Sequence, residues 1–210
     1  MTHALLPRLQ AEVVVPVVRT RTTAAAETAV RWLHEAGLTV FEITWTVPDA
    51  VGLIRTLAAD PALLVGAGTV PDAKAAEAAI AAGARFLVTP WVDPAVIAVA
   101  RAAGAAALPG TMTPTEVRAA LAAGADAVKV FPASSAGGPG HIRALRSVFP
   151  GVAFCPTGGV DAKTAPDYLA AGAAFVGIGG KLVDEARIEA GDRDAIMQAA
   201  QDILALKTGS

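Results

Sequence analysis

Cysteine is almost missing from this chain of 210 residues: Cys155 stands alone in the apolar segment Gly151-Val152-Ala153-Phe154-Cys155. An internal disulfide is excluded, and the residue reads as a buried, inert thiol rather than a nucleophile. Charge is scarce too. Charged residues make up 17% of the chain, the net charge is -2 and no Lys/Arg block occurs, so the electrostatic footprint of a nucleic-acid binder is lacking. Long apolar runs are also missing. Mean hydropathy is positive at +0.51, yet Gly, Pro, Asp or Arg interrupts each run before it could span a bilayer. The N-terminus has no charged region leading into an apolar core and a small-residue cleavage site. A soluble, cytoplasmic protein with no membrane partner is expected.

Three chemistries are disfavoured by what is not there. The histidines are His3, placed in a frayed tail, His34 and His141. No pair of them has ligand spacing on one element, and Cys155 has no cysteine partner, so neither a metal site nor another cofactor is expected. No nucleophile elbow supports Ser/His/Asp catalysis. No Gly-x-Gly-x-x-Gly opens a helix, which counts against a dinucleotide fold.

What the chain does have is apolar content, 54% of residues, enough for one well-buried domain over residues 1–210. Its punctuation is regular. Ala36-Gly37-Leu38, Ala82-Gly83-Ala84, Ala103-Gly104-Ala105, Ala123-Gly124-Ala125 and Ala171-Gly172-Ala173 each suit a helix closed by glycine and followed at once by a strand. The glycines lie one or two units of roughly 20 to 24 residues apart, the length of a strand-plus-helix pair. Strands are predicted near Val13 to Val18, Thr39 to Thr44, Leu63 to Gly66, Arg85 to Val88, Ala106 to Leu108, Ala127 to Val130, Val152 to Cys155 and Ala174 to Gly177. Helices fill the gaps, among them Ala24 to Ala36, Pro71 to Ala82 with proline in the first turn, Pro114 to Ala123 and Arg193 to Leu206. Alternating parallel units of this kind predict an α/β fold, a (β/α)8 TIM barrel, with an open doubly wound sheet as the competing architecture.

Barrel sites are built at the C-terminal ends of the strands. Alternation places Val15, Val17 and Arg19 on one face of the first strand, Val40, Glu42 and Thr44 on one face of the second, and Ala127, Lys129 and Phe131 on one face of the sixth. If those faces point inward, Arg19, Glu42 and Lys129 share one pocket. Lysine is almost never fully buried without a partner or a task. Burial favours the neutral amine of such a lysine, and an amine with a carboxylate beside it suits imine chemistry on a ketone. Lys129 would be the nucleophile and Glu42 the proton carrier. The plainer alternative is a salt bridge that holds the barrel, although buried pairs stabilise weakly.

Thr157-Gly158-Gly159 after the seventh strand and Gly179-Gly180 after the eighth stand where these barrels cradle phosphate on backbone N–H groups, or they are simply turn glycines. Thr69, in Gly66-Ala67-Gly68-Thr69, could bind a carboxylate or cap a turn. Thr44 and Thr46 beside Trp45 carry the same two readings. Trp91 after Thr89-Pro90 is either an apolar wall of the pocket or, by default, core.

Six ordered blocks span nearly the whole chain: Val15-Pro16-Val17-Val18-Arg19, Glu42 to Ala50, Gly66-Ala67-Gly68-Thr69-Val70, Pro109 to Glu116, Val128 to Ala133 and Pro156-Thr157-Gly158-Gly159-Val160. Together they resemble the 2-keto-3-deoxy-6-phosphogluconate (KDPG) and 4-hydroxy-2-oxoglutarate (KHG) aldolases. The resemblance implies a class I, Schiff-base aldolase that releases pyruvate with glyceraldehyde 3-phosphate or glyoxylate. It implies a homotrimer that acts on a small 2-keto acid without a cofactor. By that matching Lys129 forms the imine, Glu42 shuttles protons, Arg19 and Thr69 hold the pyruvyl carboxylate, Pro90 and Phe131 pack beside the imine, and Thr157, Gly158 and Gly159 bind the distal end. Two departures stand out. Thr46 occupies a position where some members carry an arginine, which Arg19 replaces from another strand. Gly180, with Lys181 behind it, stands where the family often has a phosphate-binding serine. The alternatives this leaves are an aldolase for an unphosphorylated or other 2-keto-3-deoxy acid and a phosphate-binding barrel isomerase without a Schiff base.

Overall fold

The computed structural model describes residues 3–208. Its strands are β1 (Val14–Val18), β2 (Val40–Thr44), β3 (Leu64–Gly68), β4 (Phe86–Val88), β5 (Ala106–Leu108), β6 (Gly110–Thr111), β7 (Val128–Val130), β8 (Phe154–Pro156) and β9 (Val176–Ile178). Every residue in them is buried, as expected of parallel strands covered on both faces. They pair in parallel in two runs, β5-β4-β3-β2-β1-β9 and β6-β7-β8.

The two runs form one ring. β5 and β6 are halves of a single strand, divided at Pro109, which has no N–H to give to the ladder. Its carbonyl still accepts the Lys129 N–H at 3.0 Å. At the opposite seam Thr157 bridges Gly177, and the Ala174 N–H donates to the Phe154 carbonyl at 2.9 Å. The architecture is therefore a closed (β/α)8 barrel and not an open doubly wound sheet. β7, which carries Lys129, is its sixth stave.

The helices around it are α2 (Thr23–Glu35), α3 (Ala50–Ala58), α4 (Ala73–Ala81), α5 (Pro94–Ala102), α6 (Pro114–Ala123), α7 (Gly138–Val148), α8 (Ala165–Ala170), α9 (Glu185–Glu189) and α10 (Arg193–Thr208), all preceded by α1 (Leu6–Glu12). Side-chain caps begin several of them. Thr22, Asp93 and Thr113 each accept backbone N–H groups of the first turn, and Thr113 forms a capping box with Glu116. Three bonds to Glu116, from the Met112 and Thr113 N–H groups and the Thr113 hydroxyl, hold its carboxyl below the usual range. The glycines of all five Ala-Gly phrases have positive φ, the left-handed residue that closes a helix.

Four details correct the sequence reading. Pro71 lies before α4, because Asp72 takes the N-cap by accepting the Ala75 N–H. β3 runs on to Gly68 rather than stopping at Gly66. β8 and β9 start two residues later than expected, since the turns after Gly151 and Gly172 use the intervening residues. His3 is not in a frayed tail: its Nε2 donates to the Gly104 carbonyl at 3.2 Å, and its Nδ1 accepts the Leu5 N–H.

That docked segment leads into α1, which closes the lower end of the barrel. Arg8 of α1 donates to the Ala62 carbonyl just ahead of β3. Leu6 and Leu9 join Val15, Val40, Leu64, Phe86, Leu108, Cys155 and Phe175 in the inner apolar layer. A second, larger layer lies between strands and helices, where Phe41, Ile43, Val65, Leu87 and Phe154 meet alanine-rich helix faces such as Ala26, Ala29, Ala76 and Ala79. Hydrocarbon thus fills the lower barrel, and polar chemistry is confined to the top.

Candidate active site

On three of the strands the inward face changes character two residues above the inner apolar layer. Glu42 stands above Val40, Lys129 above Ala127, and Thr157 above Cys155, as a period of two requires. Glu42 and Lys129 are 4% and 3% exposed. Lys129 Nζ lies 3.9 Å from Glu42 Oε1, and that oxygen accepts no hydrogen bond. A buried acceptor without a donor is rare and asks for an explanation. The two groups face each other as an ion pair without a hydrogen bond between them, and the carboxylate oxygen is left with room beside it. Gly68 makes that room, since a Cβ there would sit 1.9 Å from Oε1. The Phe131 ring, its centroid 5.0 Å from Nζ, forms an apolar wall against the amine.

Arg19 leaves β1 at the exposed mouth, and its Nη2 donates to Thr69 Oγ1 at 3.1 Å. Thr69 holds φ 54°, left-handed backbone that a β-branched residue occupies only at a cost. The strained turn at the end of β3 aims its hydroxyl at the guanidinium. Together they offer one charged and one neutral donor to a carboxylate.

Above Lys129 opens a cavity of about 180 Å³ lined by Arg19, Lys129, Phe131, Thr157, Gly158, Gly159, Gly179 and Gly180, all expected from sequence, together with Val17, Val160 and Lys181. The backbone on its far side is rich in free donors. Leu182 and Val183 donate to the Gly179 carbonyl, closing one turn. The N–H groups of Gly180 and Lys181, and those of Gly158, Gly159 and Val160 across from them, have no partner among the described residues. Gly158 and Gly159 both hold positive φ. Successive unpartnered amides along one cavity wall suit an anion.

Some expected residues lie elsewhere. Pro90 does not line the cavity; it packs at the end of β4, where a Cβ on Gly110 would come within 2.4 Å of its carbonyl carbon. Glu42 sits behind the amine rather than at the cavity wall. Thr44 and Thr46 bond to each other, and Thr44 donates to the Val18 carbonyl, a turn role. Trp91 is 49% exposed, so the default expectation of core packing is overturned: the chain turns outward after Thr89 donates to the Trp91 carbonyl. Cys155 is buried as expected, and desolvation pushes its thiol up to about 12. Val17 and Val160 were missed as lining residues. Each had a signal, Val17 by sharing the Arg19 face and Val160 by following the glycine pair.

The chain is similar to known proteins along most of its length. Residues 6–199 match the family model "KDPG and KHG aldolase". A probable 2-dehydro-3-deoxy-6-phosphogalactonate aldolase of Rhizobium meliloti is 42% identical over 160 residues, 75% of either chain. A 2-dehydro-3-deoxy-phosphogluconate aldolase of Pseudoalteromonas atlantica is 32% identical over 93% of this chain and 92% of its own. Among solved structures, the KDPG aldolase of Legionella pneumophila, with pyruvate captured as a covalent carbinolamine, superposes with a TM-score of 0.85 at 31% identity over 93% of this chain and 95% of that one.

Proposed function

Because the chain belongs to the KDPG and KHG aldolase family, we propose that it is a class I aldolase that reversibly cleaves a 2-keto-3-deoxy-6-phospho sugar acid, KDPG first, to pyruvate and glyceraldehyde 3-phosphate. The observation that carries the reading is the buried Lys129 amine 3.9 Å from an unpartnered Glu42 oxygen beneath an open cavity.

The chemistry follows from those groups. Lys129 Nζ adds to the C2 ketone to give a carbinolamine, and loss of water gives the iminium. Glu42 takes the proton of the C4 hydroxyl. The C3–C4 bond breaks, its electron pair flows into the iminium to form an enamine, and the aldehyde departs. The enamine then takes a proton at C3, and water releases pyruvate and the free amine. One carboxylate moves protons in every step. Arg19 and Thr69 hold the C1 carboxylate, Phe131 shields the imine, with Pro90 supporting that end of the barrel from β4, and the amides of Gly158, Gly159 and Gly180 receive the distal phosphate. Gly179 and Thr157 shape the approach.

The same site takes KHG, which yields pyruvate and glyoxylate. A second reading, the phosphogalactonate epimer, is favoured by the 42% identity to the Rhizobium meliloti protein. The whole chain acts as one domain, cytoplasmic and assembled as a homotrimer, with no nucleic-acid partner. Borohydride with pyruvate should leave a reduced adduct on Lys129, read as a mass shift on one peptide. Turnover of KDPG with Lys129 unmodified would refute the mechanism. Parallel kcat/KM values for the two epimers decide between the sugar acids.

A further inference from the structure

The cavity wall carries three cations, Arg19, Lys129 and Lys181, and no carboxylate. The first two have tasks at the pyruvyl end. Lys181 has none. It is exposed and forms no ion pair within 4 Å among the described residues, although its charge helps to hold the Asp161 carboxyl below the usual range. Its position is informative, because a second cavity, lined also by Leu182, Asp184 and Arg187, meets the first at Gly159, Gly180 and Lys181. The first cavity, about 180 Å³, is smaller than the roughly 300 Å³ at which small-molecule sites begin. The end of a six-carbon acid remote from Lys129 has room where the two meet, a junction lined by Lys181 and bordered by the free amides of Gly158, Gly159, Val160, Gly180 and Lys181.

Amides alone bind an anion without counting its charge; an ammonium among them favours a dianion over a neutral hydroxyl. At Gly180 there is no side chain to contribute, and a Cβ there would meet nothing within 4 Å. Resting on the aldolase reading above, we infer that Lys181 is the specificity-determining residue for the distal phosphate, selecting the phosphorylated acid by charge in the place where a hydroxyl at position 180 would do so by hydrogen bonding.

The test compares KDPG with unphosphorylated 2-keto-3-deoxygluconate in the full-length protein, Lys181→Met, Lys181→Arg and the double variant Lys181→Met with Gly180→Ser. Lys181→Met should raise KM for KDPG by about 10-fold or more, as loss of a charged hydrogen-bond partner does, with kcat nearly unchanged and the unphosphorylated acid unaffected. Lys181→Arg should keep the preference for phosphate, and Gly180→Ser should restore part of it, since the site has space for the hydroxyl. Pyruvate trapping on Lys129 should be equal in every variant. An unchanged phosphate preference in Lys181→Met, or an equal loss on both substrates, overturns the inference while trapping still supports the aldolase. Absence of an adduct in the unaltered protein overturns both.

Discussion

Replacing Lys129 and Glu42 together by Met should leave the barrel as stable as before or more so, while abolishing aldol cleavage. At 3.9 Å and an effective dielectric near 20, their attraction is about 4 kcal/mol. Removing two ions from water costs several kcal/mol each, and no hydrogen bond to Glu42 Oε1 offsets it. The balance is unfavourable, so methionines of similar volume are neutral or stabilising by about 1–4 kcal/mol. At roughly 2–4 °C per kcal/mol for a chain of this size, Tm should hold or rise. Lys129→Met alone strands the carboxylate in the core and should cost about 3–5 kcal/mol. Thermal unfolding followed by circular dichroism at constant pH and protein concentration measures all three proteins. A double variant that loses more than about 2 kcal/mol would mean that the pair holds the barrel together, and the argument for a pair kept for chemistry would fail.

Gly68→Ala should lower kcat by roughly 10²-fold, the usual worth of a positioned general base, because the new Cβ displaces Glu42 Oε1; a kcat within about twofold of the unaltered protein would refute the placement. Thr69→Gly should raise stability by about 1 kcal/mol through relief of φ 54°, yet raise KM for pyruvate in the condensation direction. Leu9→Ala should cost about 2–5 kcal/mol while kcat at 25 °C holds, since α1 lies at the far end from the amine. The Cys155 thiol, buried and raised to about 12, should resist a disulfide reagent at pH 8 in the folded protein and react on denaturation.

The barrel was legible because its punctuation is local: a glycine just after five of the helices and a short apolar strand after it need no tertiary knowledge. The inward faces followed from alternation alone: Lys129 lies 3.9 Å from Glu42 and shares a cavity wall with Arg19, while Glu42 itself stands behind the amine. What escaped was long-range. Leu6 and Leu9 are two apolar residues on a seven-residue helix, too few to show a period, and only the open end of a closed barrel gives them something to cover. The family likeness put Pro90 beside the imine, but it lies off the cavity and so near Gly110, on a different strand, that a Cβ there would come within 2.4 Å of its carbonyl carbon. Trp91 shows the opposite failing: the default for a hydrophobic side chain points inward, although nothing in its own neighbourhood fixes the direction of the chain.

The barrel is a hoop, and hoops open at the joint with fewest fasteners. Between β8 and β9 that joint is a single Thr157–Gly177 bridge and the bond from Ala174 to Phe154. The upper ends of the same two staves carry the glycine loops at Gly158 and Gly180 that line one cavity. A doubly charged group seated across them would act as a clasp, so the end of the substrate that takes no part in bond breaking would also tighten the frame in which the bond is broken.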